Sequence, residues 1–188
     1  MTNPIVGITE KQLTAISKYL SFVLRHKPDA IGLKLDSCGW ASIDELVDKT
    51  TEHPLTAELV DLVAETNDKQ RFAINSNRTK IRANQGHSID VDLALTPLIP
   101  PEKLLHGTAE RFCASIQEQG LSKGNRHHVH LTESKTVAAS VGSRYGKLKV
   151  LEIDSKKMHE QGFIFYRSAN NVWLVDNVPT EFIHWHIS

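Results

Sequence analysis

Arg126-His127-His128-Val129-His130-Leu131-Thr132 sets a guanidinium and three imidazoles within seven residues. Val129 and Leu131 alternate with His128, His130 and Thr132, and a two-residue period is the signature of a strand. Such a strand turns an apolar face to a core and offers hydrogen-bonding groups from the other. Upstream, Lys103-Leu104-Leu105-His106-Gly107-Thr108 repeats the design, a short apolar run that ends in His, Gly and Thr. Gly107 leaves room for a ligand to come close to the backbone, and Thr108 both donates and accepts hydrogen bonds. Two polar-ended strands point to a ligand site, against the plainer alternative of a solvated His-rich loop. Metal is a further alternative for His128 and His130, which share a strand face. No HExxH or CxxC spacing accompanies them, and His159-Glu160 lacks a second His at helical spacing, so no metal is expected.

The 188 residues suffice for one large domain or two small ones. A composition of 40% hydrophobic and 23% charged residues is that of an ordinary globular protein. The formal net charge of zero excludes binding of nucleic acid by bulk charge, so any such partner must meet a local patch. Cys38 and Cys113 are too few for a disulfide framework, which fits a reducing compartment. No stretch reaches the roughly 20 apolar residues that span a bilayer. The start of the chain also lacks the pattern of a signal peptide. The expectation is a cytoplasmic protein with no membrane partner.

In the first half, Thr9-Glu10-Lys11-Gln12 reads as a capping box. Leu13, Ile16, Leu20, Val23 and Leu24 follow at helical spacing, and Pro28 marks the stop. Ser17, Ser21, Arg25 and His26 decorate the last turns of this otherwise apolar helix, where a basic end also complements the helix dipole. Leu33 to Asp36 reads as a short strand that turns at Ser37-Cys38-Gly39-Trp40. Ser42-Ile43-Asp44-Glu45 opens a second helix as another capping box, and a third helix follows Pro54. Gln70–Asn75 and Thr79–Ala83 then make a hairpin about Ser76-Asn77-Arg78. Three helices with a terminal hairpin describe a winged-helix module, a helix-turn-helix relative used on nucleic acids. The stretch from Lys69 to Arg82 has five bases (Lys69, Arg71, Arg78, Lys80, Arg82) and no acid, whereas Asp44 to Glu65 has seven acids and only Lys49 as a base. That asymmetry gives the hairpin the means to meet phosphates, with Lys69, Arg78 and Lys80 as the candidate contacts.

Ser88 to Pro101, with three prolines, reads as the connection, and the halves are taken as 1–92 and 93–188. Beyond it, strand candidates Leu104–Thr108, His128–Thr132, Leu148–Ile153, Gly162–Tyr166 and Val172–Val175 outnumber helices at Glu110–Gln119 and Glu133–Val141. Asn170-Asn171 reads as a hairpin turn. The fold class is therefore α+β, with a mixed or antiparallel sheet in the second half. GxGxxG and GxxxxGK[ST] are both absent, which removes the common nucleotide-binding loops. What remains is Arg and His in ligand positions, and guanidinium forks match phosphate oxygens two at a time.

Several further stretches carry a family resemblance. They are Ser17-Lys18-Tyr19-Leu20-Ser21-Phe22-Val23-Leu24-Arg25-His26, Gly39-Trp40 before Asp44-Glu45-Leu46, and Lys69-Gln70-Arg71-Phe72. Leu105-His106-Gly107-Thr108, Gly120-Leu121, Arg126 to Thr132, Gly142-Ser143-Arg144-Tyr145-Gly146 and Val172-Trp173-Leu174 follow. Together and in order, from Ile16 to Pro179, they resemble the RNA 2′-phosphotransferases of the tRNA-splicing type. The resemblance implies a winged-helix RNA lobe followed by an ADP-ribosyltransferase-like, NAD-binding lobe. The implied reaction removes an internal RNA 2′-phosphate with NAD as co-substrate and without metal. The phosphate displaces nicotinamide to leave RNA-2′-phospho-ADP-ribose. The ribose 2″-hydroxyl then releases 2′-OH RNA and ADP-ribose 1″,2″-cyclic phosphate.

By the same resemblance Arg25, His26, Arg71 and Arg126 are the catalytic set, with Arg126 supplied from the NAD lobe. His106, Gly107, Thr108, His130, Thr132, Gly142 and Arg144 are the NAD positions. Many relatives have Ser where this chain has Thr132, which touches fine positioning only. The late-strand acidic residue of many protein-modifying ADP-ribosyltransferases is absent, with Val172 near its place. The expected partners are NAD and a tRNA-like RNA, and two complementary lobes need no second subunit, so a monomer is expected. Two alternatives stand beside this: an ADP-ribosyltransferase that caps terminal phosphates of nucleic acids, and a non-catalytic winged-helix binder.

Overall fold

The computed structural model describes residues 7–67 and 69–185. They form two compact units that divide between Ala94 and Leu95. Both mix helices with antiparallel sheets. Among the described residues no helix is long and apolar enough to cross a membrane.

The first unit opens with α1 (Glu10–Arg25), capped as its sequence predicts. The Thr9 hydroxyl accepts from the Gln12 N–H at 3.3 Å, and the Gln12 side chain accepts from the Thr9 N–H at 2.9 Å. The residue before a proline is driven out of the α region, so the helix closes ahead of Pro28 with His26 as C-cap. Strand β1 (Ala41–Ser42) runs into α2 (Ile43–Lys49), where the Ser42 hydroxyl accepts the Glu45 N–H at 3.3 Å. Helix α3 (Ala57–Thr66) is capped by Thr56. The hairpin is β2 (Phe72–Ile74) with β3 (Lys80–Ala83). β3 pairs with β1 on its other edge, giving the order β1-β3-β2. Phe72, Ile81 and Ala83 enter a core with Leu20, Leu24, Leu46, Val60 and Val63. Alternation then sends Ala73, Lys80 and Arg82 to the other face of the sheet.

The second unit is built on two sheets and a ribbon. One sheet has the order β4-β9-β10-β7, from β4 (Pro97–Leu98), β7 (Val129–Leu131), β9 (Phe165–Arg167) and β10 (Trp173–Val175). The other runs β12-β8-β5, from β5 (Leu104–Ala109), β8 (Leu148–Ile153) and β12 (Ile183–Trp185). β6 (Leu121–Ser122) and β11 (Asn177–Val178) form the ribbon. A single bridge joins the sheets: Leu105 N–H donates to Thr132 O at 2.7 Å and Thr132 N–H to Leu105 O at 2.9 Å.

Helices α4 (Cys113–Gln119), α5 (Lys135–Gly142) and α6 (Ser155–Glu160) complete the unit. α5 lies against β5 so closely that a Cβ on Gly107 would stand 1.7 Å from the Ala138 carbonyl oxygen. A Cβ on Gly142 would stand 2.7 Å from the Thr108 carbonyl oxygen. Close helix–strand packing therefore requires both glycines.

Several boundaries depart from the sequence reading. The segment expected to connect the halves contains β4, an edge strand where proline costs no ladder bond. The strand read as Gly162–Tyr166 starts at Phe165, because α6 and its closing turn occupy the residues before it. α6 has six residues with only Ser155 and Met158 buried, too short a pattern to show a period. The expected turn at Asn170-Asn171 is present, with Asn171 at φ 61°. Asparagine tolerates that left-handed conformation.

Candidate functional site

The candidate residues fall into two groups, one on each unit. In the first, Arg25 and His26 end α1 and Arg71 precedes β2. The Arg71 NH1 donates to the Ser17 hydroxyl at 3.3 Å and to the Asn67 Oδ1 at 3.4 Å, and the Asn67 Nδ2 donates to the same hydroxyl at 2.8 Å. Ser17 is buried on α1, so its polar face holds the guanidinium from beneath. Both of these partners are neutral. They orient the guanidinium against α1.

At the end of α1 the chain leaving β3 returns. Ser88 N–H donates to Arg25 O at 2.9 Å, one of the carbonyls a helix end leaves unsatisfied. The His26 Nδ1 and the Ser88 hydroxyl lie 2.9 Å apart, which fixes the imidazole and leaves Nε2 as its other polar atom. Neither Asn67 nor Ser88 was marked in the sequence reading. Both lie in loops, and only the way the chain folds back brings them to α1.

The basic hairpin differs from its reading in composition. Arg78 pairs with both Asp61 and Glu65 of α3 at 2.8 Å. Glu65 first, and then Asp61, holds the Arg78 guanidinium above its usual pKa. Lys80 reaches Asp36 at 3.3 Å. Much of the hairpin's positive charge is thereby answered within the unit. The acid-rich helices and the base-rich hairpin, read as separate patches, are partly one another's counterions.

In the second unit the bridge between β5 and β7 makes His106 and His130 neighbours. The His106 Nδ1 lies 3.0 Å from the His130 carbonyl oxygen. A carbonyl only accepts, so the proton sits on Nδ1 and Nε2 carries a lone pair in the neutral ring. Burial, and secondarily the charge of Arg126, lowers the His106 pKa and keeps the ring neutral. The Arg126 NH1 lies 3.4 Å from the His130 Nδ1. A guanidinium only donates, so in this contact His130 is neutral with its proton on Nε2. Arg126 thus meets the His130 ring while His106 is held by the His130 backbone carbonyl, and both tautomers follow from these contacts.

Thr108 is buried beside His106 on β5. The Thr132 hydroxyl accepts the Ser134 N–H at 3.1 Å, just before α5, which gives it a local structural duty. Gly142 is held by packing, and Arg144 is exposed in the turn beyond it. His128 packs edge-on against Tyr166 at 5.5 Å, and burial lowers its pKa ahead of the charges of His127 and Lys123. Trp173 donates from Nε1 to Glu133 at 2.8 Å, which ties β10 to the segment before α5. Among the described residues no group of three or more His, Cys, Asp or Glu side chains could hold a metal ion.

Comparison with known proteins bears on both groups. Residues 11–177 match the family model described as RNA 2′-phosphotransferase, Tpt1 / KptA family. A relative from Flavobacterium johnsoniae is 52% identical over 180 residues, covering 95% of this chain and 99% of its own length. One from Acaryochloris marina is 51% identical over 175 residues, covering 92% and 97%. One from Nostoc punctiforme is 49% identical over 178 residues, covering 94% and 98%. Each of these relatives is named a probable RNA 2′-phosphotransferase.

Proposed function

The chain belongs to the RNA 2′-phosphotransferase family, and from that premise we propose that it removes an internal 2′-phosphate from RNA with NAD as co-substrate. The observation that carries the NAD half of this reading is the pair of contacts by which His130 meets Arg126 and His106. A neutral His106 with its lone pair on Nε2 accepts from a ribose hydroxyl, as a protonated ring cannot. With the Thr108 hydroxyl beside it on β5, it suits the polar edge of a nucleoside, and Arg126, against the His130 ring, suits a phosphate. On this reading His106, Thr108 and His130 meet the nicotinamide ribose. Thr132, Gly142 and Arg144 shape its surroundings, and Gly107 gives α5 its seat.

The chemistry asks little of a general base. A phosphate monoester has a second pKa near 6, so at neutral pH it is already an anionic nucleophile. In the first step it attacks the anomeric carbon of the nicotinamide ribose, the glycosidic bond breaks, and nicotinamide leaves. RNA-2′-phospho-ADP-ribose remains. In the second step the ribose 2″-hydroxyl attacks phosphorus. ADP-ribose 1″,2″-cyclic phosphate forms, and the RNA 2′-oxygen departs with a proton. Arg25, Arg71 and Arg126 neutralise the phosphoryl oxygens while charge redistributes. His26, fixed at Nδ1 by Ser88, presents Nε2 to hold the phosphate or to protonate the departing oxygen.

This reading takes the first unit as a winged-helix RNA lobe and the second as an ADP-ribosyltransferase-like lobe. It takes the protein as a cytoplasmic monomer acting without metal on a tRNA-like RNA. The test is incubation of internally 2′-phosphorylated RNA with and without NAD, in the presence of chelator. Release of nicotinamide and a cyclic phosphate product is the expected result. An ADP-ribosylated RNA that is stable and never resolved would instead favour a transferase that caps phosphates and stops.

A further inference from the structure

Arg82 stands apart from the other hairpin cations whose partners are described above. Arg78 faces two carboxylates, Lys80 faces one, and Arg71 is tethered by Ser17 and Asn67. Arg82 stacks over the indole of Trp40, 4.6 Å from the ring centroid. Its Nε is buried and makes no hydrogen bond. Among the described residues it meets no carboxylate, so its charge is directed but not answered.

Strand register sets Arg82 beside Arg71. Ala73 pairs with Arg82 and Phe72 with Ala83, and the ladder continues where Asn84 N–H donates to Arg71 O at 2.9 Å. Phe72 is buried in the core, so alternation places Ala73 on the sheet face that carries Arg82, while the Arg71 guanidinium reaches Ser17 of α1. By register the strand positions of Arg71 and Arg82 are diagonal neighbours, about 7–8 Å apart. On the far edge Ala41 pairs with Ile81, which brings Trp40 opposite Arg82.

We propose that Arg82, oriented by Trp40, binds the RNA 3′,5′-phosphodiester vicinal to the reacting 2′-phosphate, and so selects internal over isolated 2′-phosphates. This rests on the reaction proposed above and on Arg71 meeting the 2′-phosphate. An internal 2′-phosphorylated nucleotide carries two anions on adjacent ribose carbons. A surface that held only the first would leave the second beside it unanswered. A second guanidinium, one diagonal step from Arg71, matches that pair. A stacked guanidinium is already ordered, so little rotamer freedom is lost when it binds.

The test measures binding and turnover separately. Dissociation constants are determined for an oligoribonucleotide with one internal 2′-phosphate, and for adenosine 2′-monophosphate, which lacks the diester. Arg82→Ala should weaken the oligonucleotide about tenfold and leave the mononucleotide unchanged. Arg71→Ala should weaken both. The salt dependence of oligonucleotide binding should also fall by about 0.7 in slope for the single lost contact. Arg82→Lys, which keeps the charge without the fork, should retain that slope while losing part of the affinity. Equal weakening of both ligands by Arg82→Ala, or no weakening of the oligonucleotide by either variant, would overturn the assignment. If the unmodified protein binds the oligonucleotide yet never releases its phosphate in the presence of NAD, the reaction proposed above fails, and the binding measurements still decide the role of Arg82.

Discussion

Arg71 in the first unit is fixed by Ser17, 54 positions away along the chain, through a hydrogen bond between side chains. In the second unit His106 is fixed by the backbone carbonyl of His130, 24 positions away on a strand that the Leu105–Thr132 bridge holds in register. The two anchors differ in robustness. A hydrogen bond from a guanidinium to a neutral hydroxyl contributes about 1.5 kcal/mol and vanishes with one substitution. A carbonyl set by strand pairing cannot be deleted without unpairing the strands. The first unit thus holds its cation by removable contacts, and the second holds its imidazole by the frame of the sheet.

The most damaging way to test that contrast is to attack the frame. Gly107→Ala would set a methyl 1.7 Å from the Ala138 carbonyl, so α5 or β5 must move. Overpacking of this kind costs about 3 kcal/mol. Thermal denaturation should show the second unit strongly destabilised. Gly124→Ala, where a Cβ meets nothing within 4 Å and only the φ of +57° is strained, should cost about 1 kcal/mol. Equal melting temperatures for the two variants would show that the strand frame is more pliable than its contacts suggest.

Next come the cations themselves. Arg71→Ala and Arg126→Ala should each slow the second step about a hundredfold, or about 3 kcal/mol, because attack on an anionic diester needs its oxygens neutralised. RNA-2′-phospho-ADP-ribose should then accumulate on a gel that resolves substrate, intermediate and product. Ser17→Ala removes only a tether, so the same intermediate should build up with a loss of roughly fivefold. If Ser17→Ala matches Arg71→Ala in size, the tether does more than orient. If neither variant builds up intermediate, the division of labour between the steps is wrong.

A smaller effect concerns pH. An unfolded histidine titrates near 6.5, and burial lowers the value for His106 in the fold. Below about pH 6.5 the unfolded chain therefore takes up a proton that the folded chain refuses. Stability should fall as the pH drops from there, and the fall should level off below the folded value. His106→Asn keeps an N–H for the His130 carbonyl and has nothing to titrate. Urea unfolding at pH 7.5 and 5.5 should show a smaller loss on acidification in the variant. An identical loss in both proteins would mean that His106 is not held neutral by the frame.

The smallest expected effect is on the hairpin. Arg78 is exposed and bound to Asp61 and Glu65. Exposed ion pairs contribute little to stability. A cation already paired with two carboxylates also has little net charge to offer a phosphate. Arg78→Ala should leave RNA affinity nearly unchanged, well short of the effect of Arg82→Ala in the same titration. A large loss for Arg78→Ala would show that the α3 carboxylates give way to RNA, and that the basic stretch acts as a whole.

Much of this was legible in the residues. The capping box at Thr9, the stop before Pro28, the hairpin between Phe72 and Ala83 and the alternation through His128 to Thr132 are local rules. Backbone sterics, caps and side-chain period decide them within a few residues. Short elements escaped for the same reason. A six-residue helix such as α6, or a two-residue strand such as β4, shows no period and exists because its neighbours hold it.

The candidate residues divide along that line. Arg25, His26, Arg71, His106 and Arg126 stood out by type and position. Their partners Ser17, Asn67, Ser88 and the His130 carbonyl are ordinary groups whose role comes only from being folded against them. Gly107 shows the limit most plainly. The sequence gives it freedom for a close approach, but only the packing of α5 on β5 shows that the close neighbour is the protein's own backbone. Residue types determined which charges and imidazoles this protein has to work with. The tertiary structure decided which are answered and which are held ready, because interaction energies depend on distance and burial, and neither is written along the chain.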